Sequence, residues 1–304
     1  MATRRGPASA GRPLDLLVVA HVNVDRLIEV AELPDVDRTV PIVRQSTTLG
    51  GPAANVARVA AEAGLAVGVA GRIGPEFPRP FAAELDAAGV DRRGLEIVPG
   101  TTTPTCFIVH DARGRQTTLI DQGPMGSAAR AKLPLRSLAR AGWVHLGTGD
   151  PEYLRRIQRW VRAHGGRAAV DPAQEIHYRW SPGPFRTFVA DAEILFGNRA
   201  EIARAMALTG VRRPADLTRL VPLVVETRGA LGAVAYFRGG SVRVPAVGAR
   251  RYSDPTGAGD AFRAGFYVGW LRGRPLAAAL RSGAEASSAW LAGRAGRPRG
   301  GSPR

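Results

Sequence analysis

The sequence predicts an α/β protein of three layers, αβα: a mostly parallel sheet between helices, with a small β-sheet lid beside it. Three observations predict this. Apolar runs of strand length alternate with longer segments whose apolar residues fall on one helical stripe, the rhythm of a parallel sheet covered on both faces. Residues 25–50 and 101–123 break that rhythm with extended, turn-linked stretches and no crossover helix, as a second, smaller sheet requires. The chain has 304 residues, 45% of them apolar, enough for one large α/β domain or two small ones.

The elements follow in order. Residues 14–20 are an apolar strand interrupted by Asp15, and the small residues that a signal peptide needs after its apolar run stand before it, so no signal peptide is expected. Pro52 near its start and Gly64 at its end frame a helix. Residues 65–71 make a short buried strand, 79–89 a helix and 142–147 a strand. In residues 152–166, Tyr153, Leu154, Ile157, Trp160 and Val161 share one helical stripe. Residues 167–171, 192–197 and 221–227 are strands, with helices starting near Arg199 and Pro214 between the last two. Residues 231–247 form a hairpin about Gly239 and Gly240, and the last two helices begin near Gly257 and Pro275. Residues 1–12 read as a disordered basic leader, 13–296 as one domain and 297–304 as a disordered basic tail.

The formal net charge is +16, from 42 basic and 26 acidic residues, which invites a nucleic-acid reading. However, Lys132 is the only lysine, the arginines are scattered up to the tail, and no basic motif is interleaved with aromatic residues. In a chain rich in Ala, Gly and Pro, the skew reads as GC-rich codon usage, so no specific nucleic-acid partner is expected. No apolar stretch reaches the roughly 18 residues of a membrane span, so no membrane partner is expected either. Cys106 is the only cysteine and no Cys/His cluster suits zinc, which points to a reducing, cytoplasmic compartment.

The chemistry concentrates in SDPTGAGDAFRAGF, residues 253–266. A Gly-rich turn entering a helix aims several backbone N–H groups at one point and adds the helix dipole, which makes an anion site. Gly257 and Gly259 let the backbone approach closely, and Asp260 falls in the first helical turn beside the anion. A carboxylate there either complements the dipole or takes a proton from an attacking hydroxyl while the turn holds a phosphoryl group. A P-loop is excluded, because its lysine has no counterpart. Residues 147–152, GTGDPE, lack the third glycine of a dinucleotide fingerprint.

Five motifs in order now carry a family resemblance over about residues 14–296: AHVNVDRL, LGGPAANVARVAAEAG, ILFGNRAE, VVETRGALGAVAY and SDPTGAGDAFRAGF. Together they resemble the ribokinase-like (PfkB) family of carbohydrate and nucleoside kinases, and so imply its Rossmann-like fold. The resemblance implies an ATP-dependent phosphotransferase with an alcohol group as acceptor. It makes Asp260 the catalytic base and the amides of Gly257, Ala258 and Gly259 the anion hole. Asp25 and Asn55 would hold sugar hydroxyls, with Asn23, Gly50 and Gly51 lining the same pocket; read without it, Asp25 is a turn former and Asn55 a polar residue at a helix start. Asn198, Thr227, Gly229 and Gly232 would border ATP. Glu201, three residues from Asn198 on one helical face, would hold Mg²⁺ through water. Asp254 would serve a monovalent cation such as K⁺.

Departures from the family pattern bear on the acceptor. Pro52 replaces the Lys usual in ribokinases, which weakens a free-ribose reading, and Glu76 stands in an altered loop. Pro255, Arg263 and the stretch DQGPMGSA resemble the bacterial adenosine-kinase and archaeal nucleoside-kinase branches. The expected acceptor is the 5′-hydroxyl of an adenosine-like nucleoside, with a free sugar or a sugar phosphate as the alternative. Two other classes stay open: a non-catalytic nucleoside-binding regulator, against which the intact Asp260, Asn198 and Glu201 argue, and a nucleic-acid-binding protein. Some relatives dimerise through the lid sheet, and the apolar alternation in TCFIV permits a homodimer of that kind.

Overall fold

The structure, a computed structural model, describes residues 13–248 and 256–295. The leader, the tail and Asp254 lie outside the described residues. The chain opens with β1 (Leu14–Val19), β2 (Asn23–Val30), β3 (Ile42–Gly50) and α1 (Pro52–Glu62). It continues through β4 (Val67–Ile73), α2 (Arg79–Ala87), β5 (Asp91–Ile97), β6 (Thr105–Asp111) and β7 (Gln116–Asp121). A short α3 (Leu135–Leu138) leads to β8 (Ala141–Leu146), α4 (Pro151–Ala163), β9 (Arg167–Val170) and α5 (Pro182–Ala190). Then come β10 (Ile194–Asn198), α6 (Arg199–Thr209), β11 (Leu223–Thr227), β12 (Ala233–Phe237) and β13 (Gly240–Val244). Two helices close the described chain, α7 (Ala258–Leu271) and α8 (Leu276–Ala295). No helix among the described residues is long and apolar enough to cross a membrane.

Among the described residues nine strands form the main sheet in the order β13-β12-β11-β10-β9-β8-β1-β4-β5, parallel except for β12, which pairs antiparallel with both neighbours. Strand order reverses at β1, whose Leu17 and Val18 pair with Val144 and His145 of β8 on one side and Gly68 and Val69 of β4 on the other. A reversal of this kind opens a crevice beyond the carboxyl ends of the strands. Helices α1, α2, α7 and α8 bury one face of the sheet, where Phe262, Phe266 and Leu280 join Leu16 and Val18 in the core. Helices α4, α5 and α6 bury the other, through Leu154, Ile157, Phe185, Phe188 and Ile202. Burial of each such side chain contributes roughly 1.5–3 kcal/mol, so this two-sided core dominates stability.

The second sheet has the order β3-β2-β6-β7 and is built from the two segments that broke the sequence rhythm. Its outer pairs are antiparallel and its central pair, β2 with β6, is parallel.

Several elements differ from expectation, among them the short α3. The helix expected near Pro214 is a 3-10 turn, Pro214–Arg219. Strand β5 went unread because its sequence, DRRGLEI, is charged; it is an edge strand of the main sheet, where charge is tolerated. Helix α5 went unread because of Pro182 and Pro184, but both lie in its first turn, where no intrahelical N–H bond is lost.

Candidate active site

The crevice collects residues from the carboxyl ends of β1, β9, β10 and β11 and from the starts of α1, α6 and α7. Beyond β1 the chain turns at His21, whose carbonyl accepts the N–H of Ala53 at 3.0 Å and so fixes the start of α1. Gly51 stands at that start with φ of 87°, and a Cβ there would fall 2.5 Å from His21 O, so only glycine fits. In the first turn of α1, Asn55 Nδ2 donates to Asp260 Oδ2 at 2.9 Å. This bond joins two sequence motifs 205 residues apart.

Asp260 stands in the first turn of α7 and keeps part of its surface open. Burial pushes its carboxyl above the ordinary range, while Arg263 and the Asn55 bond pull it back. Gly257 caps α7 in the left-handed region, φ 79°, with no side-chain cap hydrogen bond at the start of the helix. Trp290 of α8 fixes the turn from outside, its indole N–H donating to Thr256 O at 2.9 Å.

Of the residues expected on the acceptor side, Asn23, Asp25 and Gly50 lie on the small sheet, and Gly51 and Asn55 at the start of α1. Asn23 and Asp25 of β2 are buried, and Asn23 Oδ1 has no hydrogen-bond partner among the described residues. Asn23 pairs with Gly50 of β3, and a Cβ at Gly50 would lie 1.9 Å from Asp25 Oδ2. The glycine therefore makes room for the carboxylate.

Asn198 and Glu201 do more than share a helical face. They form a capping box on α6: Asn198 Oδ1 accepts the N–H of Ala200 and of Glu201 at 2.9 and 3.0 Å, and Glu201 Oε2 accepts the N–H of Asn198 at 2.7 Å. Gln174 Nε2 donates to Glu201 Oε1 at 3.1 Å. Glu201 is buried, and burial raises its carboxyl while Arg263 lowers it. At the end of β11, Thr227 leads into a turn through Gly229 and Gly232, both at positive φ. Behind that turn, Arg228 donates to Glu226 and to Tyr236 at 2.8 and 2.6 Å.

Two buried groups, Asp171 and His145, had no role in the sequence analysis, and a third, Arg263, stood there only as a mark of the nucleoside-kinase branches. Asp171 and Arg263 leave a signal. Asp171 follows the apolar run RAAV at a strand's carboxyl end, and Arg263 interrupts an apolar helix one turn past Asp260. A second buried group lies at the main-sheet end, and an exposed bond beside it ties the chain past β7 to it. Glu175 accepts the N–H of Gly149 at 2.6 Å, His21 Nδ1 bonds Thr148 Oγ1 at 2.7 Å, and Gln122, just past β7, donates to Tyr178 at 3.1 Å. Burial pushes Glu175 up to about 7 and His21 down to about 4. An open cleft of about 480 Å³ lies at the opposite rim, by Leu14, Val67 and Arg140. Its Asp91 is already bonded to Arg93 and Arg140, so it offers none of this chemistry.

A carboxylate in the first turn of a helix at a switch-point crevice suits the movement of a phosphoryl group onto a hydroxyl. The model of the pfkB family of carbohydrate kinases matches residues 14–296, and the chain belongs to that family: it is a phosphotransferase with an alcohol group as acceptor. It is 33% identical to a nucleoside kinase of Methanothermobacter thermautotrophicus over 264 residues, 86% of this chain and 84% of that protein. It is 31% identical to an ATP-dependent ribose-1-phosphate kinase of Halopiger xanaduensis, over 92% of this chain and 93% of that one. Among solved structures, the nucleoside kinase of Methanocaldococcus jannaschii superposes with a TM-score of 0.81 at 25% identity, covering 91% of this chain and 92% of that one.

Proposed function

We propose that this chain transfers the γ-phosphoryl group of ATP to the 5′-hydroxyl of a nucleoside. The observation that carries the reading is the 2.9 Å bond from Asn55 to Asp260, which brings an acceptor-side group to the carboxylate beside the anion-binding turn. Asp25 and Asn55 hold the sugar hydroxyls, and Asn23, Gly50 and Gly51 line their pocket. ATP borders Asn198, Thr227, Gly229 and Gly232, and its γ-phosphate meets the amides of Gly257, Ala258 and Gly259. Asp260 takes the hydroxyl proton as the new O–P bond forms and the bond from phosphorus to ADP breaks. Positioning and charge neutralisation supply most of the catalysis in such transfers.

Both Glu201 oxygens already accept hydrogen bonds, so Glu201 suits Mg²⁺ through water and not as a direct ligand. Bound Mg²⁺ neutralises phosphate charge. Asp254 is assigned to a monovalent cation such as K⁺. Residues 25–50 and 101–123 act as a lid on the 13–296 domain, excluding water when closed. The exposed Ile42, Val43, Leu119 and Ile120 of the lid support a homodimer through it; a monomeric mass by light scattering at working concentration removes that assignment. The single cysteine suits the cytoplasm.

A sugar phosphate is the second reading, favoured by the Halopiger relative. Coupled ADP release decides between them, with adenosine, other purine and pyrimidine nucleosides, ribose, ribose 1-phosphate, fructose and fructose phosphates, with and without Mg²⁺ and K⁺. The expected result is the highest kcat/KM on a nucleoside. A higher value on ribose 1-phosphate moves the acceptor to that class, and no nucleoside-dependent ADP release ends the nucleoside reading.

A further inference from the structure

Arg263 lies one helical turn past Asp260 and is buried at 5% exposure. Its Nη2 donates to Asp171 Oδ1 at 2.8 Å, and its Nε meets Asp171 Oδ2. Glu201 Oε2 is 3.9 Å from the same Nη2, and the Phe196 ring lies 6.0 Å from the guanidinium carbon. On the remaining side stands the anion-binding turn: a Cβ at Gly259 would fall 2.7 Å from Nη1. The guanidinium is thus packed against the backbone of that turn. Asp171 also faces His145 Nε2 at 3.6 Å, and His145 Nδ1 is bonded to Tyr267 at 2.9 Å. Burial holds His145 down at about 4, so it is neutral and brings no charge at neutral pH.

Three carboxylates, Asp171, Glu201 and Asp260, therefore surround one buried cation. A buried guanidinium needs paired and hydrogen-bonded partners to offset its desolvation, and a phosphoryl group adds further negative charge to the cluster. We propose that Arg263, gripped by Asp171, is a positioning residue for phosphoryl transfer: it supports the Gly257, Ala258, Gly259 turn from beneath and offsets the negative charge gathered at Asp260. It acts through Gly259 and Asp260, and the inference rests on the kinase reading above. An arginine suits the place because its fork engages one carboxylate with two N–H groups and leaves a third for the turn.

The test is steady-state ADP release by the full chain with its best acceptor. Arg263→Met is expected to lower kcat about 100-fold while both KM values stay within about threefold, the split of a group that acts in the transition state. Arg263→Lys keeps the charge without the fork and should recover about tenfold of that loss. Asp171→Asn keeps the shape of the anchor and should lower kcat about tenfold with the same split. Equal kcat losses in the Met and Lys variants, or a kcat unchanged in both, overturn the inference. If Arg263→Met does not fold, Asp171→Asn decides, and an unchanged kcat there overturns it. Wild-type protein without acceptor-dependent ADP release removes the kinase reading and this inference together; an active wild type with indifferent variants removes the inference alone.

Discussion

The two sheets hold their carboxylates in different settings. At the main sheet, β1 is buried from Leu16 through Val19, and Asp171, Glu201 and Asp260 all have protein partners. On the lid, β7 is exposed along its whole length and most of β3 is exposed as well. Asp25 is buried there in room that Gly50 on the neighbouring strand leaves. The difference teaches which sheet is organised for which task. The main-sheet end is fixed by folding, so its dipoles and charges need no reorganisation during transfer. The lid is a thin sheet with little core of its own, which suits a part that moves over an acceptor.

The largest effect expected tests the main-sheet side. Asp260→Asn should lower kcat about 10³-fold with KM values nearly unchanged, since it removes a base and not a binding group. A kcat within tenfold of wild type, read by ADP release, gives the proton to another acceptor.

The lid side should respond in the opposite sense. Gly50→Ala places a methyl where the Asp25 carboxylate stands. The acceptor KM should rise about 10- to 100-fold, the loss of one or two hydrogen bonds to a charged group, while the ATP KM holds and Tm falls by a few degrees from the overpacking. Equal effects on both KM values would merge the two regions into one site.

The smallest effect tests the seam between them. Glu175 sits among His21, Gln122, Tyr178 and Arg179, and burial raises its carboxyl from 4.5 to about 7. Between these values the unfolded chain releases the proton and the folded chain keeps it, so stability from neutral Glu175 is full below 4.5 and is lost as pH rises through about 7. Glu175→Gln mimics the neutral form and should lose nothing. Its Tm, measured by calorimetry, should gain on wild type as pH rises from about 5 to about 8. A constant difference across that range would show that Glu175 folds ionised.

Much of the fold was legible in the sequence. Parallel strands and their covering helices announce themselves by periodicity, because both faces of the sheet must be apolar, as in the runs ending at Val19 and Thr227. Strand β5 and helix α5 were missed where an edge position and first-turn prolines reverse the usual signs. Within the site, the Gly-rich turn and Asp260 could be read locally, since their chemistry lies in consecutive residues. By itself the sequence thus determined the family, and it singled out the Gly-rich turn and Asp260 as the groups to test. Only the tertiary structure decided that Asn55 meets Asp260, that Gly50 makes room for Asp25, and that Arg263 lies beneath Gly259 with Asp171 as its anchor. Each of these is a contact between distant segments, fixed by how the sheet and helices pack and carried by no spacing in the chain.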